Sequence, residues 1–187
     1  MTIRCTWATG ELEITYHDNV WGKVTKDERE LFEYLILEGM QAGLSWSLIL
    51  KKHENFKKAF DDFDYNICAN YSDEYLESQR DNEGIIRNKL KIYSVRKNAI
   101  AFLKVQEEFG SFYNYIWHFT NGNKINNAWK NKNEVPSNSE LSDKISKDMK
   151  KRGFSFVGTT IIYSYLQAIG LINDHLIDCI CYEKCKE

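Results

Sequence analysis

The chain has 187 residues, of which 43% are hydrophobic and 14% aromatic, and a formal net charge of −2. That length supports one substantial core and excludes two large independent domains, while the near-neutral charge excludes binding of nucleic acid through the overall field of the molecule. No apolar run reaches the length of a membrane span, and the start, Met1-Thr2-Ile3-Arg4-Cys5-Thr6-Trp7, lacks the apolar stretch of a secretory signal, so a cytoplasmic protein with no membrane partner is expected.

One proline and ten glycines, set among Leu, Ile, Glu and Lys at three- and four-residue spacings, predict an all-α fold. We read residues 1–187 as a single domain with room for two lobes, and expect a monomer. The five cysteines meet a reducing compartment, which favours metal binding or free thiols over disulfides.

Residues 1–24 carry Cys5, Trp7, Tyr16, His17 and Trp21 without a sustained period, which predicts an irregular or short helical segment held by its rings. Thr25-Lys26-Asp27-Glu28 reads as a capping box, with Thr25 as N-cap and Glu28 reaching back, opening a helix to about Gln41. Gly43 suits a left-handed stop, and Ser45 can cap the next helix, which turns Ile49, Leu50, Phe56 and Phe60 inward. Asp64 and Ser72 read as caps of two short helices. Past a loop at Asp81-Asn82-Glu83-Gly84, the residues Ile92, Val95, Ala99, Phe102, Leu103, Gln106 and Phe109 keep a helical period that Gly110 ends, and Ser111 opens a further short helix. Asn121 to Asn138, rich in Asn and Lys around Pro136, reads as a mobile surface loop. No strand is expected. Basic clusters at Lys51-Lys52 with Lys57-Lys58, from Arg87 to Lys97 and from Lys144 to Arg152 supply local positive charge.

In the last third, Leu141, Ile145 and Met149 mark a helix ending in Lys150-Lys151-Arg152-Gly153, and Thr160 to Ile169 mark another, closed by Gly170. The segment between them, Gly153-Phe154-Ser155-Phe156-Val157-Gly158-Thr159, makes residues 141–170 resemble a helix-hairpin-helix element. In such an element the free backbone N–H groups of the turn face a DNA phosphate. An ordinary helical hairpin is the alternative.

Glu38 shares a helical face with Leu31, Tyr34, Leu35 and Ala42, which places a carboxylate toward the interior. An acid taken out of water shifts its pKa or finds a strong partner, and such groups gather at functional sites. Trp46 follows within a turn of the helix break, and Trp7, Tyr16, His17 and Trp21 add flat rings nearby in sequence. A carboxylate among aromatic faces suits a planar, nitrogen-rich, cationic ligand.

Cys5 and His17 near one end of the chain, with His175 and Cys179 at i, i+4 near the other, make a tetrahedral zinc set that would pin the two ends together. Cys181 and Cys185 compete as ligands, and buried thiols with hydrogen-bonded histidines are the alternative. A set of four protein ligands would be structural, because it leaves no open coordination position.

The order of several segments then carries a resemblance. These are Tyr16-His17-Asp18-Asn19 before Trp21-Gly22, Leu37-Glu38-Gly39 running into Gln41-Ala42-Gly43-Leu44-Ser45-Trp46, Leu50-Lys51-Lys52, and Gly84-Ile85-Ile86-Arg87. Downstream stand Lys150-Lys151-Arg152-Gly153-Phe154, Phe156-Val157-Gly158-Thr159-Thr160, and Gly170-Leu171 with Asn173-Asp174-His175. Over nearly its whole length the chain is similar to the type I DNA-3-methyladenine glycosylases, a bacterial family of base-excision repair enzymes.

The resemblance implies a helix-hairpin-helix glycosylase fold and a structural Zn²⁺ held by Cys5, His17, His175 and Cys179. It implies an enzyme that flips 3-methyladenine out of alkylated double-stranded DNA, hydrolyses the N-glycosidic bond and releases the free base. By the same likeness Glu38 accepts hydrogen bonds from the base, Trp46 stacks on it and Tyr16 lines the pocket, with Trp7 and Trp21 expected in its walls. Gly43 and Leu44 are candidates to wedge into the DNA gap, and Gly153, Phe154, Val157, Gly158 and Thr159 to meet its backbone.

The chain departs from the family at Glu13, where a pocket tyrosine is expected, and at Met40 and Val20, which replace a common glutamine and glutamate. No lysine is seen in place for a Schiff base, so the expected enzyme is monofunctional. A carboxylate at Glu13 either adds to the attraction for a cationic base in the pocket or points to solvent. Two rivals are a zinc-stapled helix-hairpin-helix protein that binds DNA but has lost turnover through Glu13, and a small-molecule enzyme whose aromatic pocket serves another planar ligand.

Overall fold

In the computed structural model, which describes residues 3–187, the helix Glu28–Gln41 (α2) is the axis of the fold. Ten consecutive residues of α2, Leu31 to Met40, are buried, so the helix is enclosed on all sides rather than amphipathic. The expected Thr25 cap is corrected. Asp27 caps α2, its carboxylate accepting from the N–H groups of Arg29 and Glu30 at 2.9 and 3.0 Å. Glu28 does not reach back. It accepts from the Phe112 and Tyr113 N–H groups at 2.7 and 3.0 Å and so caps a different helix.

Around α2 stand Glu11–Asn19 (α1), Trp46–Ala59 (α3), the short Tyr65–Cys68 (α4) and Asp73–Ser78 (α5), the long Lys89–Phe109 (α6), and Phe112–His118 (α7). The expected caps form at Ser45, Asp64, Ser72 and Ser111, and Gly110 ends α6 at φ +81°. Phe32 of α2 meets Phe102 of α6 edge-on at 5.3 Å, and Phe102 stacks on Phe112 of α7 at 4.2 Å, which locks three helices through one ring cluster. Buried Lys91 of α6 donates to the Met40 and Ala42 carbonyls at 2.8 and 2.7 Å. It thereby satisfies carbonyls at the end of α2, just before Gly43 turns the chain at φ +76°.

Glu140–Lys151 (α8) and Thr159–Ala168 (α9) pack together as a hairpin, and Tyr165 of α9 donates to the Leu31 carbonyl of α2 at 2.9 Å. The connection between the two helices is held from several sides. Asn98 brackets Ser155 with bonds of 2.8 and 3.0 Å, and the Ser146 hydroxyl donates to the Val157 carbonyl at 2.6 Å. Gly39 packs directly beneath it, where an added Cβ would lie 3.2 Å from that of Phe156.

The fold is helical with one departure. Ile125–Asn126 (β1) and Ile172–Asn173 (β2) pair in parallel, where the sequence suggested no strand. Gly170 allows the return into β2. Its φ is +79°, and a Cβ there would lie 2.2 Å from the Lys23 carbonyl carbon, so only glycine lets the two backbones touch. Among the described residues no helix is long and apolar enough to cross a membrane.

Candidate active site

A cavity of about 400 Å³ opens where α1, the ends of α2 and α3, α9 and the loop after β1 converge. Tyr16 comes from α1, Glu38 from the last turn of α2, and Trp46 from the first residue of α3, which the left-handed Gly43 turn brings back toward Glu38. Trp7 and Trp21 complete the ring-lined side, packed edge to face at 5.0 Å. Tyr16 lies 5.1 Å from Trp46 and 6.2 Å from Trp7, so the rings form a continuous wall.

Glu38 is 5% exposed, and no described residue hydrogen-bonds to its carboxylate. Burial alone pushes its pKa up to about 8. The Tyr16 hydroxyl and the Trp46 indole N–H are likewise buried without a partner, and burial with the neighbouring Glu38 charge raises the Tyr16 pKa well above its ordinary value. Three unspent polar groups beside one aromatic wall give the cavity the capacity to bind a planar ligand that donates and accepts hydrogen bonds.

The other side of the cavity was missed in the sequence. Gln41, Ser164, Gln167 and Asp174 line it, with Lys132 and Val135 from the loop. Past the opening Thr159-Thr160, Ser164 and Gln167 are an i, i+3 polar pair in the apolar body of α9, a signal that could have found them. Asp174 differs from Glu38 in being fully engaged. It accepts from Asn127 at 2.6 Å, Trp129 at 2.7 Å, Tyr163 at 2.6 Å and Gln167 at 2.7 Å. Asn127 and Trp129 belong to the segment read as a mobile surface loop. It is exposed as expected, but those two bonds anchor it to the cavity wall.

One sequence expectation, Glu13 in the pocket, is corrected here. Glu13 does not reach the cavity; its carboxylate accepts from the Gly10 N–H at 2.7 Å and from Thr9, capping α1, and these bonds lower its pKa. Phe154 and Val157 are 4% and 1% exposed, so their side chains plug the core under the hairpin and cannot touch a partner. The backbone around them remains available: the N–H groups of Val157, Gly158 and Thr159 donate to no acceptor among the described residues. Gly153 holds φ +95°, and Gly43 and Leu44 form a turn beside the cavity, with Gly43 exposed.

Behind the ring wall, Cys5, His17, His175 and Cys179 converge, all buried, with one ligand atom of each within 4.8 Å of the others. Cys179 Sγ lies 3.4 Å from His17 Nε2 and 3.5 Å from His175 Nδ1, and Cys5 Sγ lies 3.7 Å from His175 Nδ1. A tetrahedral ion with bonds of about 2.0 to 2.3 Å sets its sulfur and nitrogen ligands roughly 3.5 Å apart, so the spacing fits. The remaining ring nitrogens are occupied as a metal site requires: His17 Nδ1 pairs with Asp18 at 2.7 Å, and His175 Nε2 meets the Trp21 carbonyl at 3.0 Å. Hydrogen bonding to Cys5 and to both imidazoles pulls the Cys179 thiol toward thiolate. Cys181, which competed as a ligand in the sequence, stands outside this set, 3.9 Å from His17 Nδ1. The Trp21 ring lies 4.6 Å from that of His175, so the cluster and the cavity share a wall.

The family model described as methyladenine glycosylase matches residues 7–182. The chain is 43% identical to DNA-3-methyladenine glycosylase 1 of Escherichia coli over 180 residues, covering 96% of each chain. It is 41% identical to the DNA-3-methyladenine glycosylase of Haemophilus influenzae over 182 residues, covering 97% of this chain and 98% of the relative. Its fold matches a structure of 3-methyladenine DNA glycosylase I from Staphylococcus aureus, determined for the basis of 3-methyladenine recognition, with a TM-score of 0.92, 32% identity and 95% of each chain covered.

Proposed function

This chain is a member of the methyladenine glycosylase family, and on that footing we propose that it is a monofunctional DNA-3-methyladenine glycosylase of base excision repair. It excises 3-methyladenine from double-stranded alkylated DNA by hydrolysing the N-glycosidic bond, leaving an abasic site and the free base. The observation that carries this reading is a buried, unpartnered carboxylate, Glu38, facing a cavity walled by Tyr16, Trp46, Trp7 and Trp21.

Alkylation at N3 makes the adenine cationic, so the glycosidic bond is already weak and the leaving group needs little protonation. Selection is the harder task. An alkylated nucleotide pairs and stacks poorly, and so costs less to flip out of the duplex. In the cavity, Trp46 stacks on the base, the ionised form of Glu38 accepts its exocyclic hydrogens and balances its charge, and Tyr16 fixes its plane. Water then attacks the sugar carbon from which the base departs. Gly43 and Leu44 fill the gap left in the duplex, while the free N–H groups of Val157, Gly158 and Thr159, in the turn that Gly153 opens, grip a phosphate in the manner of a helix-hairpin-helix element. The protein works as a cytoplasmic monomer.

Cys5, His17, His175 and Cys179 are the residues that would hold Zn²⁺, in a structural role that joins the two ends of the chain. Cys179→Ser is expected to lower bound zinc to background and stability by several kcal/mol, read by metal analysis and thermal unfolding.

The direct test of the activity is incubation with methylated duplex DNA and chromatography of the released bases, with free 3-methyladenine as the expected product. Binding without release under saturating protein would leave the non-catalytic DNA-binding rival standing. The main reason for that rival was an acid at position 13 inside the pocket, and Glu13 is spent on the α1 terminus instead.

A further inference from the structure

The charges of the cavity are ordered by depth. Its buried acids, Glu38 at the end of α2 and the already hydrogen-bonded Asp174, are 5% and 2% exposed, while its cation, Lys132, is exposed and comes from the loop after β1. Among the described residues no other ammonium or guanidinium lines the cavity, and no carboxylate forms an ion pair with Lys132.

The loop that carries Lys132 is held rather than free. Trp129 donates through its indole to Asp174 and accepts from the Ile177 N–H at 3.0 Å, and Asn127 donates to the same Asp174 carboxylate. Glu134 closes the segment on itself by accepting from the Lys130 N–H and the Asn131 amide, each at 2.7 Å. Val135, at the end of the same turn, presents an apolar side chain to the cavity beside the lysine.

A cation set deep in the pocket would repel a positively charged base, so its position at the mouth matters. A flipped nucleotide carries its positive charge on the base and its negative charge on the flanking phosphodiesters. With the base drawn toward Glu38, those phosphates remain at the opening. We propose that Lys132 is a DNA-backbone contact at the cavity mouth, pairing with a phosphate next to the flipped nucleotide. This assignment rests on the glycosylase reading, and adds to it a residue from a loop whose sequence marks it only as polar.

The test compares wild type with Lys132→Gln, Lys132→Arg and Lys132→Glu, each an exposed substitution that leaves the packing intact. Three measurements are made: release of 3-methyladenine from methylated duplex for kcat/KM, affinity for that duplex over a salt series, and binding of free 3-methyladenine followed by tryptophan fluorescence. Lys132→Gln is expected to lower kcat/KM by about 3- to 10-fold near 0.1 M salt and to make the slope of log affinity against log salt shallower by about one. Lys132→Glu should lose more, and Lys132→Arg should keep most of the wild-type value. Binding of the free base, which has no phosphate, should be unchanged in all three.

An unchanged salt slope and rate in Lys132→Gln would overturn the assignment, as would loss of free-base binding, which would move Lys132 into the base pocket. A borohydride-trapped adduct with DNA that vanishes in Lys132→Arg would replace it with a covalent role. Failure of the wild-type protein to release any base would instead overturn the glycosylase reading itself.

Discussion

Two buried carboxylates face the same cavity and are treated in opposite ways. Asp174 is 2% exposed and accepts four hydrogen bonds, drawn from α9 and from the loop after β1. Glu38 is 5% exposed and accepts none. Burial alone therefore does not mark a functional acid; the state of its hydrogen-bonding capacity does. A satisfied carboxylate organises the wall around it, and an unsatisfied one waits for a partner from outside.

The largest effect that would break this contrast is expected at Asp174. Asp174→Ala strands four donors of the cavity wall, and should cost on the order of 3 to 5 kcal/mol in urea unfolding. A loss below about 1 kcal/mol would make Asp174 as idle as Glu38 and end the comparison.

Glu38→Gln, in contrast, should keep the fold and lower single-turnover excision by about 10²-fold, in line with removal of one preorganised electrostatic partner of a developing or resident charge. Equal losses of activity and stability would instead place Glu38 with Asp174 as a structural acid.

The smallest effect is one of sign. Burial raises the folded-state pKa of Glu38 from 4.5 to about 8. Between those values the unfolded chain has released a proton that the folded chain keeps, so the wild type loses stability as pH rises through this window. The penalty is absent below about 4.5 and complete above about 8. Glu38→Gln should therefore melt near the wild type at pH 4.5 and above it at pH 8.5, by about 2 to 4 °C for each kcal/mol relieved. Excision by the wild type should rise over the same window, because a cationic base needs the ionised acid, and that rise should be absent from the variant. A lower melting point for Glu38→Gln at pH 8.5 would mean that the carboxylate has a partner inside the protein.

What the sequence disclosed follows from how local each interaction is. Ser45, Asp64, Ser72, Ser111 and Gly110 each act within a turn of their own position, and all five terminate helices as expected. Thr25 misled because Asp27, two residues on, offers a competing acceptor, and because Glu28 is used by a helix 84 residues away. The ring-lined half of the cavity was legible for a similar reason: Trp7, Tyr16, Trp21, Glu38 and Trp46 fall within 40 consecutive positions, and all but Trp7 lie in segments that carry the family likeness. The opposite half comes from Lys132, Val135, Ser164, Gln167 and Asp174, which share no motif and meet Glu38 only through the hairpin and the β1–β2 pairing. Glu13 occupies the place where the likeness expects a pocket tyrosine yet stands apart from the cavity, because an acid in the first turn of α1 is drawn to the free N–H groups there.

The contact of Gly170 with Lys23 reaches beyond the packing of one turn. A backbone-on-backbone crossing admits no inventory of alternatives, so a saturation library at position 170 should return a single survivor, whereas one at Gly43 or Gly122, each with open space for a Cβ, should tolerate asparagine. The position thereby works as a latch in the gene as much as in the molecule: drift elsewhere can be absorbed, and drift there erases the seam that brings residues 171–187 back to the N-terminal segment.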